Sequence, residues 1–128
     1  QIDVLEPGHL YGYGICNVIP HIVKHNVPNC GWKIWLDGRK LFYCTDMNNL
    51  NGISAPNYDL YMVEANYDDK EIQAKIAEKK LTGEYIYEKR VLRDHMSVAK
   101  VNDWLYANMG PNSAYIYMHC HQDKEDAT

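Results

Sequence analysis

Residues 21–46, HIVKHNVPNCGWKIWLDGRKLFYCTD, decide the fold of this chain. The Asp37-Gly38 pair divides the segment into two apolar runs, and it favours a two-residue hairpin turn because both central positions need positive φ. His25 precedes the hairpin at the end of an extended run, and Asp46 follows its second strand. Loops at strand ends let side chains converge, so two metal-ligand residue types can meet there. The predicted strands of the hairpin are residues 32–36 and 41–44.

The rest of the chain predicts further strands and two helices. Asp68 or Asp69 can cap a helix that runs to about residue 81 and ends before Gly83, and Ser97 can cap a second helix that ends before Gly110. This order, with strands first and then strand-helix-helix-strand, predicts an α+β fold with one mostly antiparallel or mixed sheet and two helices on one face. The other predicted strands are residues 2–5, 18–23, 58–65 and 114–119.

Two segments have no regular pattern. Residues 47–57 are rich in Asn, Gly, Ser and Pro and are predicted to form a loop. Residues 84–93 are highly charged, and their pattern fits either a helix extension or a loop.

Composition limits the class of protein. Apolar residues make up 46% of the 128 residues, which is typical of one globular domain, here residues 1–128. The net charge of −4 argues against a general nucleic-acid coat protein but allows a site for one phosphodiester. No apolar run is long enough to cross a membrane, and no signal-peptide pattern is present. The four cysteines permit two disulfides, but reduced thiols in the cytoplasm fit better.

Four residues are candidates for metal or acid-base chemistry. His25, Asp46 and His119 each end a predicted strand, and His95 precedes the second helix by two residues. Imidazole and carboxylate ligands suit zinc or manganese, and water on such an ion ionises near neutral pH. A single histidine is more often a surface or core residue, and Asp46 also fits a turn. Cys30 with His25 as a thiol nucleophile and its base is a weaker alternative, because no third orienting residue is visible.

Four segments together resemble a known family. They are HNVPNCGWKI with DGRKLFYCTD, then YDLYMVEANYDD, DHMSVAKVNDWL and AYIYMHCHQD, which span about residues 4–121. In order and spacing they resemble the second half of the metallo-β-lactamase fold, in its RNase Z-like and phosphodiesterase-like branch. The resemblance implies half of an αββα sandwich.

The resemblance also implies ligands for two metal ions. His25 would bind one ion, Asp46 would bridge the pair, and His119 would bind the other. His121 is the second choice for that last position, since it lies on the same face of the predicted strand.

By the same resemblance, His95 and Glu64 would be catalytic. His95 would donate a proton to the leaving oxygen or contact the scissile phosphate, and Glu64 would hold its imidazole in one tautomer. Glu64 also fits a polar residue at a strand end. The implied reaction is attack by metal-bound hydroxide on a phosphodiester of RNA, DNA or a cyclic nucleotide.

The family's H-x-H-x-D-H signature, which supplies most of its ligands, is absent from this sequence. We therefore expect the chain to be a C-terminal fragment of a longer hydrolase, with an incomplete metal site and little activity alone. The exposed inner face of its sheet would bind the missing N-terminal half or another copy of the chain. The alternative is a non-catalytic protein-binding or assembly module on the same scaffold.

Overall fold

The computed structural model describes residues 2–120, which form one six-stranded mixed sheet and three helices. The strands lie side by side in chain order. They are β1 (Tyr11–Tyr13), β2 (Cys16–Val23), β3 (Asn29–Leu36), β4 (Arg39–Cys44), β5 (Leu60–Glu64) and β6 (Ala114–Met118). The helices α1 (Asp69–Thr82), α2 (Glu88–Asp94) and α3 (Val98–Asn108) lie between β5 and β6 in the chain.

The direction of the strands brings several strand ends to one edge. Strands β1 to β4 are antiparallel to their neighbours, whereas β4, β5 and β6 are parallel to one another. Parallel neighbours need long crossover connections, and the three helices belong to the connection from β5 to β6. As a result β2, β4, β5 and β6 all run in one direction, and their carboxyl ends lie at the same edge of the sheet.

The central hairpin forms as the sequence predicted. Asp37 has φ of 48° and Gly38 has φ of 74°, and Leu36 pairs with Arg39 across the turn. These angles are those that a two-residue hairpin turn requires. The structure therefore confirms the prediction from the Asp-Gly pair.

One face of the sheet, the covered face, carries the main core. Phe42, Tyr61 and Val63 point to this face and are almost completely buried. Helix α3 packs Val101 and Leu105 into the same core. Ser97 caps α3 by accepting a hydrogen bond from the backbone N–H of Lys100 at 3.2 Å.

The opposite face, the open face, is also apolar but lies outside that core. A row of five paired residues, one from each of the adjacent strands β2 to β6, runs across this face. None of the five belongs to the core cluster on the covered face. Ile116 in this row is 49% exposed, and nearby Ile22 is 70% exposed. The row consists of Pro20, Trp32, Tyr43, Met62 and Ile116.

Two expectations for the secondary structure need correction. Residues 2–5 do not form a strand: they lie beside Tyr11–Tyr13 and contact it through the side chains of Asp3 and Tyr13, but they form no backbone ladder with it, and Ile2 and Val4 are almost fully exposed. The first strand is β1 instead. The ambiguous segment 84–93 contains all but the last residue of the helix α2, so the described chain has three helices rather than two. The fold class itself, an α+β fold with a mixed sheet, is as predicted.

The ends of helix α1 agree with the predicted signals. Asp68 is its N-cap and accepts hydrogen bonds from the backbone N–H groups of Lys70 and Glu71. Gly83, with φ of 75°, ends the helix. Within residues 2–120, no helix has the length and apolar character needed to cross a membrane.

Candidate metal centre

Three of the candidate residues lie at the shared edge of the sheet. Asp46 lies two residues beyond β4, Glu64 is the last residue of β5, and His119 follows β6 directly. The parallel direction of these strands places their carboxyl ends together, which is where open sheets of this kind hold ligands. His95, the C-cap of α2, reaches the same place from the helical connection.

These four side chains form a compact group. Each offers one ligand atom, and all four atoms lie within 4.8 Å of one another. The Oε1 atom of Glu64 is 2.7 Å from Nδ1 of His95 and 3.0 Å from Nδ1 of His119. Oδ1 of Asp46 is also 3.0 Å from Nδ1 of His119.

Glu64 is at the middle of this group. Its side chain is completely buried, and its Oε2 atom accepts a hydrogen bond from the backbone N–H of Met47 at 3.3 Å. When an imidazole donates its Nδ1–H to a carboxylate, Nε2 is left as the nitrogen available for a metal or a substrate. Glu64 can therefore set the tautomers of His95 and His119 together.

The backbone at two of these residues is strained. Asp46 has φ of 55° and His119 has φ of 50°, a left-handed conformation that costs a residue other than glycine about 1–2 kcal/mol. Such strain clusters at functional sites. Two amide side chains hold the strained carbonyl groups: Asn29 donates to the oxygen of Asp46 at 3.0 Å, and Asn66 donates to that of His119 at 2.9 Å.

His25 lies in the wall of the same cavity but outside the group of four. The cavity, of about 320 Å³, is lined by His25, Asp46, His95 and His119 among others. Nδ1 of His25 is 3.1 Å from the carbonyl oxygen of Asp94, and the ring centroids of His25 and His95 are 5.6 Å apart. Its assignment as a metal ligand stays a prediction. His121, the second choice to His119, lies outside the described residues.

Three residues that support the site were not predicted from the sequence. They are Asn29, Asn66 and Asp94, and each acts through a backbone or side-chain hydrogen bond rather than as a ligand. Asp94 is itself held by Arg93, whose guanidinium donates two hydrogen bonds and lowers the pKa of the Asp94 carboxyl. The only signal for Asn66 was its position two residues after Glu64, beyond the end of a strand.

The donor set fits a divalent cation. Two imidazole nitrogens and two carboxylate oxygens suit the borderline ions that bind mixed nitrogen and oxygen ligands. In their present arrangement these donors hydrogen-bond to one another. A cation held by Asp46 and His119 would replace the contact between those two side chains, whereas the contact of Glu64 with His95 would remain. Cys44 is not part of the set, because burial raises the pKa of its thiol to about 12 and its Sγ contacts Sδ of Met47.

Comparison with known proteins supports the fold. No family model and no curated protein matches the sequence. Among solved structures, the chain is similar to the metallo-β-lactamase fold protein YhfI from Bacillus subtilis, with a TM-score of 0.60 and 14% identity. The match covers 97% of this chain and 45% of YhfI, so the chain spans less than half of that protein's length. At this identity the likeness shows the fold alone: the chain has a fold similar to part of a metallo-β-lactamase fold protein, with a group of four potential metal ligands at its sheet edge.

Proposed function

We propose that this chain forms part of a metal-dependent hydrolase and provides one side of its metal centre. The observation that carries the proposal is the convergence of Asp46, Glu64, His95 and His119 within 4.8 Å at one sheet edge. The likeness in fold to YhfI adds support, because that protein is described as having a metallo-β-lactamase fold.

The proposed substrate is a phosphodiester of RNA, DNA or a cyclic nucleotide. Asp46 and His119, with His25 from the cavity wall, would hold zinc or manganese. A divalent cation there would neutralise charge on the phosphate and lower the pKa of a bound water. The chain's own residues would then orient the substrate and move the proton that the leaving group needs.

His95 is the proposed proton donor. Its Nδ1 is hydrogen-bonded to Glu64, so in the imidazolium form the proton on Nε2 is the one that His95 would deliver to the leaving oxygen, returning to neutral imidazole. Glu64 is buried and fixed by Met47, so it holds the ring of His95 in one orientation. It acts through His95 and is a positioning residue.

The finer parts of the proposal follow the sequence resemblance. We assign the chain to the RNase Z-like branch, as the C-terminal half of the domain, and expect the remaining ligands of a two-metal centre to come from outside it. Residues 1–128 alone should then bind metal weakly and hydrolyse phosphodiesters poorly. A cytoplasmic setting belongs to the proposal, because the four cysteines are free thiols, which persist in a reducing compartment.

The proposal is tested by metal binding and by activity. Calorimetric titration with Mn²⁺ and Zn²⁺ should show a site that Asp46→Asn and His119→Gln abolish. Asp103→Asn and His9→Gln are matched controls, because both residues are exposed and belong to other parts of the chain. Unchanged metal affinity in the Asp46→Asn and His119→Gln variants would refute the metal site. Rapid hydrolysis of bis(p-nitrophenyl) phosphate by residues 1–128 alone would refute the incomplete site.

The role of Glu64 has its own test. A glutamine at this position offers one oxygen acceptor and an N–H₂ group, and it would face N–H donors on His95, His119 and Met47. Glu64→Gln should therefore weaken metal binding by about 10–100-fold, as losses of supporting partners do. Glu78→Gln, at an exposed position, should leave affinity unchanged.

The open face favours a second candidate function, a protein-binding or assembly module. Its row of apolar side chains crosses five strands, and Ile116 and Ile22 are substantially exposed. Contiguous exposed apolar surface marks interaction sites. Light scattering during size exclusion distinguishes the candidates: a metal-free oligomer that survives His25→Ala and Asp46→Ala favours assembly, and loss of association in those variants favours the metal centre.

A further inference from the structure

A second cavity lies beside the metal centre and plays no part in the proposed hydrolysis. Its volume is about 240 Å³, and α1, α2 and the ends of β5 and β6 contribute to its wall. Tyr87 and Val91 line both this cavity and that of the metal centre. None of the four grouped ligand residues lines it, so the two cavities are distinct neighbours.

Two buried hydrogen-bond acceptors in its wall have no donor. Glu88 is 6% exposed, and Lys79 binds its Oε1 at 2.6 Å, but its Oε2 has no partner within residues 2–120. Asn66 is 7% exposed and uses Nδ2 to bind the carbonyl of His119, yet its Oδ1 likewise lacks a donor among those residues. An acceptor left in this state costs about 1–3 kcal/mol, so the wall favours a guest that brings N–H groups.

The wall is also acidic. Three carboxylates line the cavity against one ammonium group, that of Lys75. Burial, the largest single influence, raises the pKa of Glu88, but two hydrogen bonds, one of them from Lys79, and the charges of Lys79 and Lys75 together outweigh it and leave that pKa below its usual value. The carboxylates belong to Asp68, Glu71 and Glu88.

The remaining wall is apolar and aromatic. Tyrosine rings can pack on a flat or aliphatic body and attract a cation to their faces. A ligand body of this kind would also cover the aliphatic side chains. The aromatic and aliphatic members include Tyr67, Tyr87, Tyr117, Ile72, Val91 and Val98.

We propose that this cavity binds a small molecule whose apolar body carries a cationic N–H group, such as an ammonium, guanidinium or amidinium. Both acceptor atoms have less than 1 Å² of accessible surface, so binding includes a rotation of the Glu88 and Asn66 side chains toward the cavity. The N–H groups then bind Oε2 of Glu88 and Oδ1 of Asn66, and the body packs among the tyrosines. Because charge-assisted hydrogen bonds are about twice as strong as neutral ones, Glu88 contributes most of the selectivity. This site needs no metal and goes beyond the hydrolase proposal.

Benzamidine is a suitable probe, because it joins one ring to one amidinium. Titration of the metal-free chain, followed by amide NMR, should show saturable one-to-one binding with the largest shifts at Ala65, Val98 and Cys120, which line the cavity. Methyl benzoate has the same ring without N–H donors and should bind at least about tenfold more weakly. No saturation, or equal affinity for both compounds, would overturn the proposal and leave a cavity filled only by water.

Variants test the assigned acceptor. Glu88→Gln should weaken benzamidine binding by at least about tenfold, and Glu71→Gln, at an exposed position in the wall, should weaken it less. Glu78→Gln on the outer side of α1 is the matched control and should change nothing. Equal weakening by Glu78→Gln would contradict the assignment.

If Glu88→Gln does not fold, the proposed cavity can still be tested on the unaltered chain, by the rate at which a cysteine in its wall is alkylated. Cys120 is an exposed free thiol that lines the cavity, whereas Cys44 is buried elsewhere. Benzamidine should slow alkylation of Cys120 by iodoacetamide, and methyl benzoate at the same concentration should not. Equal rates with and without benzamidine would contradict the proposed site.

Discussion

The two faces of the sheet are built from the same strands but differ in what packs on them. On the covered face, Phe42 and Tyr61 are fully buried beneath α3. On the open face, their neighbours Tyr43 and Met62 are only half-buried, and Ile116 is 49% exposed. Alternation along a strand supplies two apolar faces at once, and the described chain covers one of them throughout and the other only in part, at Pro20. Apolar composition alone therefore does not give the number of layers in a fold.

Phe42→Ala should produce the largest loss of stability. Phe42 is completely buried, and its ring lies 4.8 Å from that of Trp104 and 5.3 Å from that of His21. Removal of a buried phenylalanine side chain costs about 3–5 kcal/mol. Urea denaturation followed by circular dichroism measures this loss. A loss below about 1 kcal/mol would show that the covered face is not the main core.

Acidification should weaken the covered face through His21. Both ring nitrogens of His21 are buried without a partner among the described residues, and burial, with a smaller contribution from Lys33, lowers its pKa to about 4. In the unfolded chain its pKa is about 6.5. Between these values the unfolded chain binds a proton that the folded chain does not. The contribution of His21 to stability is therefore present in full above about pH 6.5 and is lost as the pH drops to 4, by at most about 3 kcal/mol because the ring is incompletely buried.

The pH effect is measured as a difference between two proteins. The natural chain and His21→Phe are each unfolded with urea at pH 7 and at pH 4.5. Subtracting the pH-dependent loss of one protein from that of the other removes the contributions of the other histidines. His9→Gln, at an exposed position, should behave as the natural chain does. The same acid sensitivity in His21→Phe would contradict the assignment to His21.

Gly31→Ala should lower stability moderately, because it adds a methyl group to the covered face. A Cβ atom at Gly31 would lie 2.4 Å from Cε1 of His21 and 3.0 Å from Sγ of Cys44. Overpacking of this kind costs about 1–3 kcal/mol. The double variant Gly31→Ala with His21→Ala removes the first clash, and a double-mutant cycle measures the relief. Strict additivity in that cycle would show that the ring and the added methyl group do not meet.

Ile116→Ser, on the open face, should have the smallest effect. Half of this side chain already contacts solvent, so the free energy of unfolding should change by no more than about 0.5 kcal/mol. If the open face joins copies of the chain, sedimentation velocity should show weaker self-association of Ile116→Ser than of the natural chain. A loss as large as that of Phe42→Ala would mean that the open face is covered after all.

Local signals predicted local structure well. The Asp37-Gly38 turn and the N-caps Asp68 and Ser97 each depend on neighbouring residues, and all three appear in the structure. The strand predicted at residues 2–5 failed for the opposite reason. Its alternating residues fit a strand, but a strand also needs a partner, and no local pattern supplies one.

The site was predictable in part. The positions of Asp46 and His119 at strand ends follow from the sequence, whereas their convergence depends on β4, β5 and β6 being parallel, which no local pattern reveals. The sequence resemblance gave Glu64 one partner, His95. The structure adds His119 and Met47, because side chains from three chain segments meet a single buried carboxylate. The small helix α2 was ambiguous since its seven residues carry charges of both signs.

The position of β6 at the margin of the sheet has a consequence for the metal centre. Within the described chain β6 pairs only with β5, through a five-residue ladder. Local opening of a marginal strand needs less free energy than global unfolding. Detachment of this strand would withdraw His119 while the other five strands stayed joined. If the proposed metal centre forms, we expect its lifetime to depend on the attachment of this one short strand and to differ from the lifetime of the fold.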